Sequence, residues 1–82
     1  MLQESLATRI ALLAETWPPI ISAEELPRLL GGLYTKKTLA NMRWQGTGPR
    51  AFKIGRKVFH LRQDVVDWLL AKARPFDPDA IE

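Results

Sequence analysis

The chain has 82 residues, no cysteine, one histidine, 46% hydrophobic and 26% charged residues, and a formal net charge of +3. A chain this short holds one small domain with a thin core, and its composition is that of a globular protein, not a disordered one. Without cysteine there is no disulfide scaffold and no thiolate zinc site, and with a single histidine any metal site would rest mostly on carboxylates.

The longest apolar runs, Ile10 to Ala14 and Trp17 to Ile21, fall far short of the roughly 20 residues that span a bilayer. Glu4 and Arg9 break the pattern of a signal peptide, so a cytoplasmic location is expected, which the lack of cysteine also fits. Charge is strongly polarised. From Leu26 to Gln63 there is no acid, and that stretch carries nine basic residues; the rest of the chain sums to −6. Such a field points to a polyanionic partner, nucleic acid first and a membrane surface second, against the bland alternative of a solvated basic surface.

In chain order, Leu2, Leu6, Ile10 and Leu13 recur at helical spacing and predict an amphipathic helix over Met1 to Thr16. Trp17-Pro18-Pro19 stops it, since a residue before proline is pushed out of the helical region. Isolated helices of this length are marginal, so the stripe must be covered. The stiff connector predicts that it packs on the chain's own core, near Trp17 and the last helix, and that the chain is monomeric without DNA.

Ile20-Ile21 is short and extended. Ser22 and Glu25 have the spacing of a capping box, opening a helix to about Leu30 that Pro27 should bend or shorten, and Gly31-Gly32 ends it. Thr35 caps the next helix, Lys36 to about Gln45, which stops at Gly46. Two short helices joined by a glycine-containing turn form a helix-turn-helix pattern, shared with generic helical hairpins. After the Thr47-Gly48-Pro49 turn, Phe52-Lys53-Ile54 and Val58-Phe59-His60-Leu61 read as a hairpin with Gly55-Arg56-Lys57 at its tip. The last helix runs from about Gln63 to Ala73 with Val65, Trp68 and Leu69 as its stripe and Asp64 in its first turn. Pro75 and Pro78 end the order, and Phe76 to Glu82 is an acidic tail expected to fray. The segments are thus 1–19 (helix and connector), 20–74 (the main domain) and 75–82 (the tail).

Three stretches together carry a resemblance: Ser22-Ala23-Glu24-Glu25-Leu26; Thr38-Leu39-Ala40-Asn41-Met42-Arg43 with Gly46-Thr47-Gly48-Pro49; and Ile54-Gly55-Arg56-Lys57-Val58 running into Asp64-Val65-Val66-Asp67-Trp68-Leu69. Over roughly residues 20 to 73 they resemble the small winged helix-turn-helix proteins of the excisionase, AlpA-like and MerR-like group. The resemblance implies an α+β fold, a winged helix-turn-helix of three helices and a two-stranded wing, here with one extra N-terminal helix. It implies a bacterial or prophage DNA-binding protein, a transcription factor or a recombination directionality factor, with its second helix in the major groove. The chain departs from the pattern before Pro19, at Pro27, at His60 where Tyr is common, and at Met42 where Trp or Leu is common.

At 100° per residue Leu39 and Met42 define the buried side of the second helix, which leaves Lys37, Ala40, Asn41 and Trp44 outward with Lys36 and Arg43 at one edge. Asn can bond adenine through two hydrogen bonds and a small Ala leaves room for a thymine methyl. Trp44 is expected to pack against the hairpin. Thr35 and Thr38 cap the helix, and their hydroxyls could bond a phosphate. Arg56 and Lys57 at the hairpin tip, with Lys53 and Arg50 on its approach, can reach phosphates or a minor groove. Arg62 completes the basic set. His60 reads as structural, and Asp64 with Asp67 as helix-start acids, not a catalytic pair. With no Ser-His-Asp arrangement, phosphate loop or metal-ligand cluster, no enzymatic activity and no cofactor are expected.

The expected partner is double-stranded DNA, joined by further copies on adjacent sites, a recombinase or RNA polymerase, and no membrane. One module buries only about 600–1,000 Å² on DNA, so a lone copy should bind weakly. Two rivals are a terminase-type packaging subunit, which would normally carry a long segment after the wing, and a protein-interaction adaptor such as an antitoxin or anti-repressor.

Overall fold

The computed structural model describes residues 5–76, 78 and 79. Its elements are α1 (Leu6–Ala14), β1 (Ile20–Ser22), α2 (Leu26–Leu29), α3 (Lys36–Gln45), β2 (Phe52–Ile54), β3 (Lys57–Leu61) and α4 (Arg62–Lys72). Among the described residues this is an α+β domain with four helices and one antiparallel sheet of order β1-β3-β2, and no helix is long and apolar enough to cross a membrane.

Helix α3 is bounded as its sequence predicts. The Thr35 hydroxyl accepts the Thr38 N–H at 3.1 Å, and Gly46 closes the helix at φ +75°, a left-handed conformation that a side chain would strain. Helix α2 differs from expectation. Ser22 lies in β1, and its hydroxyl accepts the Glu25 N–H at 3.1 Å, but the helix begins only at Leu26. Among the described residues the reciprocal half of the capping box is not formed, and the Glu25 carboxylate pairs with Arg28 instead. The helix is a single turn, and Pro27 sits in it where a backbone donor has no intrahelical partner, so it costs no hydrogen bond.

The hairpin of β2 and β3 pairs Ile54 with Lys57, so the loop is Gly55-Arg56 alone and Lys57 belongs to β3. Gly55 takes φ +63° at the first loop position, where a two-residue hairpin turn requires it. Phe52 and Phe59 stack across the pair at 6.0 Å. On its other edge β3 pairs with β1, placing Ile20 opposite Leu61 and Ile21 opposite His60.

Ile21, Leu26, Leu39 and Val65 form the core, one residue from each of β1, α2, α3 and α4, with Tyr34, Met42, Trp68 and Leu69 packed around them. Val66 is also buried, which the expected stripe of α4 did not include. Trp68 donates its indole N–H to the Thr47 carbonyl at 2.9 Å, tying the turn after α3 to α4.

His60 is 0% exposed and its Nδ1 lies 2.7 Å from the Arg50 carbonyl. A carbonyl only accepts, so Nδ1 carries the proton, and among the described residues the buried Nε2 has no partner. Burial pushes its pKa below the usual 6.5, helped by the Arg43 charge and opposed by the Arg50 carbonyl and Asp64. The neutral ring is therefore the folded form. Its stabilisation is complete above the unfolded value and is lost as pH falls from there toward the lowered folded value. Urea midpoints should drop between about pH 7.5 and about pH 5.5, and His60→Gln, which does not titrate, should shrink that drop.

Among the described residues helix α1 spans Leu6–Ala14, ending before the expected Thr16, while the first four residues of the expected helix lie outside the described residues. It is capped by Ser5 and packs on α4, as expected for an intramolecular helix. The expected covering of its stripe is largely not found: only Ile10 is half-buried, Leu6 and Leu13 are 37% and 68% exposed, the buried residue is Ala14 beside the stripe, and Leu2 lies outside the described residues. The anchor is polar. Arg62 donates its guanidinium to the Trp17 carbonyl at 2.9 Å and its N–H to the Pro19 carbonyl at 2.9 Å. The expected fraying of the tail falls mostly on residues outside the described set; within it, Phe76 is exposed.

Candidate nucleic-acid interface

Between α3 and the sheet runs a trough made of two adjoining clefts that share Arg43 and Val58. One cleft, about 490 Å³, lies at the N-terminal half of α3 and is lined by Glu24, Lys36, Arg56 and Lys57. The other, about 440 Å³, lies between the C-terminal half of α3 and β2, with Ala40, Trp44, Phe52 and Lys53 on its walls. Leu39 and Met42 turn inward, so Lys37 and Asn41, four residues apart, stand exposed on the outer face of α3, with half-buried Ala40 at its border.

The sequence-selected residues divide accordingly. Lys36, Ala40, Arg43, Lys53, Arg56 and Lys57 meet at the trough, and Lys37 and Asn41 stand beside it. Thr35 and Thr38 sit at the start of α3, with their hydroxyls 3.0 Å apart and engaged in the cap. Arg50 is not with them: it lines a separate depression with Asp64 and Asp67. Arg62 is also elsewhere, half-buried against the connector carbonyls. Trp44 does not pack on the hairpin; it is 90% exposed at the rim of the trough.

One site residue was missed. Glu24 reaches into the basic surface and pairs with Lys36 at 2.5 Å across twelve positions of chain. The Lys36 hydrogen bond and charge, with a smaller contribution from Lys57, hold the Glu24 carboxyl below its ordinary range. The acid-free stretch begins only two residues later, so counting charge along the sequence places Glu24 outside it, whereas the turn after β1 folds it back in.

Compared with models of known protein families, the chain gives no match, and compared with curated proteins it gives none either.

Proposed function

We propose that the chain binds double-stranded DNA with sequence preference, as a small bacterial or phage regulator of the winged helix-turn-helix type, either a transcriptional regulator or an excisionase-type directionality factor. In this reading α3 enters the major groove and the β2–β3 hairpin is the wing. The observation that carries it is the convergence of Lys37, Arg43, Lys53, Arg56 and Lys57 on the outer face of α3 and the trough beside it. Asn41 stands exposed among them, a side chain able to read a base edge within a surface suited to phosphates.

The test separates reading from anchoring. A duplex selected from a random pool by the wild-type chain is compared with a scrambled duplex of the same composition. Asn41→Ala should cost about 1–3 kcal/mol on the selected duplex and almost nothing on the scrambled one. Arg56→Ala combined with Lys57→Ala should weaken both alike, because phosphate contacts carry no sequence information. Equal losses on both duplexes for Asn41→Ala would show that α3 presents a different face.

Glu24 acts in this reading as a brake on the basic surface. Glu24→Gln removes a negative charge and releases Lys36 to a phosphate. Affinity should rise at low salt, and the slope of log K against log salt should steepen by about 0.9. An unchanged slope would mean that Lys36 gains no phosphate.

A further inference from the structure

The trough holds a feature that base reading and phosphate anchoring leave unexplained. Trp44 is 90% exposed in the last turn of α3, in line with Lys37 and Asn41 at helical spacing. Its neighbours in the cleft are of two kinds. Arg43 and Lys53 are cations, while Ala40, Ala51, Phe52 and Val58 are apolar. Phe52 stacks on Phe59 across the hairpin. The matching ligand offers both anionic and apolar groups, as the phosphates and deoxyriboses of one DNA strand do. A bilayer surface is a poorer match, since Arg43 and Lys53 interrupt the apolar surface beside Trp44.

An indole has one donor and no acceptor. It cannot match the paired donor and acceptor pattern by which bases are distinguished in the major groove. Against a deoxyribose, which every nucleotide carries, its contact is independent of sequence, and being apolar it displaces no counterion.

We propose that Trp44 is a DNA-contacting residue that covers a deoxyribose of the strand lying in the cleft between α3 and β2, with Arg43 and Lys53 on the flanking phosphates. The proposal rests on the DNA-binding reading above, and it gives Trp44 a signature unlike that of Asn41 or of the basic residues. Asn41 carries preference for sequence. Lysines and arginines carry the salt slope. Trp44 carries affinity alone.

The experiment titrates wild type, Trp44→Ala and Trp44→Phe against the selected and scrambled duplexes across a salt series. Trp44→Ala should lose about tenfold in affinity on both duplexes with an unchanged salt slope, and Trp44→Phe should recover most of the loss. Because the side chain is so exposed, the thermal midpoint of both variants should match that of wild type, which separates lost contact from lost fold. Unchanged affinity in Trp44→Ala would overturn the proposal. So would a loss confined to the selected duplex, which would make the indole a base reader, or a shallower slope, which would make its effect electrostatic. A wild-type chain that binds neither duplex would remove the DNA-binding reading itself, a result distinguishable from all of these.

Discussion

Raising salt from about 50 to about 200 mM should weaken the binding of this chain to duplex DNA about 500-fold. The figure follows from which cations the fold leaves available. Of the nine basic residues between Leu26 and Gln63, Arg28 pairs with Glu25 and Lys36 with Glu24. Arg62 serves the connector carbonyls, and Arg50 lies with Asp64 and Asp67. Lys37, Arg43, Lys53, Arg56 and Lys57 are left for phosphates. If each releases one counterion, the slope of log K against log salt is about −4.5. Fluorescence anisotropy on a labelled duplex measures it directly. A slope near zero would dismiss the nucleic-acid reading, and a slope near about −8 would mean that the paired cations also reach the backbone.

Leu26→Ala should remove much of the stability of the domain. Leu26 is 0% exposed and meets Ile21, Leu39 and Val65, so its truncation opens a cavity where β1, α2, α3 and α4 converge. Such changes cost about 2–5 kcal/mol, and a domain of this size has only roughly 4–12 kcal/mol in total. The melting midpoint should fall on the order of 10–25 °C. Calorimetry or circular dichroism would show it, and a shift of only one or two degrees would place the core elsewhere. Because α2 is a single turn, Leu26 is also its main hold on the body, so the variant should bind DNA poorly even well below its midpoint.

Much of this arrangement is legible in the sequence, for local reasons. Thr35 and Gly46 mark the two ends of α3 by their own chemistry, and Gly55 marks the hairpin loop. The outward side of α3 follows from Leu39 and Met42. What escapes is non-local. β1 has three residues and no period of its own, and its partner β3 lies more than thirty residues further on. Glu24 joins the basic surface through a turn that no charge count reveals. Arg62 reads as one more cation, yet its position at the start of α4 puts it beside the free carbonyls of the Trp-Pro-Pro connector. Trp44 shows the opposite limit. The expectation that a tryptophan finds a packing partner is sound for most chains, but here Trp44 stands 90% exposed on the outward side of α3, with Lys37 and Asn41.

The pairing of β1 with β3 has a consequence for recognition. A lone two-stranded hairpin is at best marginally stable in water. Here β3 is the central strand, held on one edge by β2 and on the other by β1, and it runs directly into α4. The basic loop at Gly55-Arg56 is thus carried on a three-stranded platform ordered before any ligand arrives. Binding then spends little free energy on freezing backbone, and the losses concentrate in the long side chains of Lys53, Arg56 and Lys57, at about 0.5–1.5 kcal/mol each. Preorganisation of this kind lets a surface built on so small a core retain most of its contact energy as affinity.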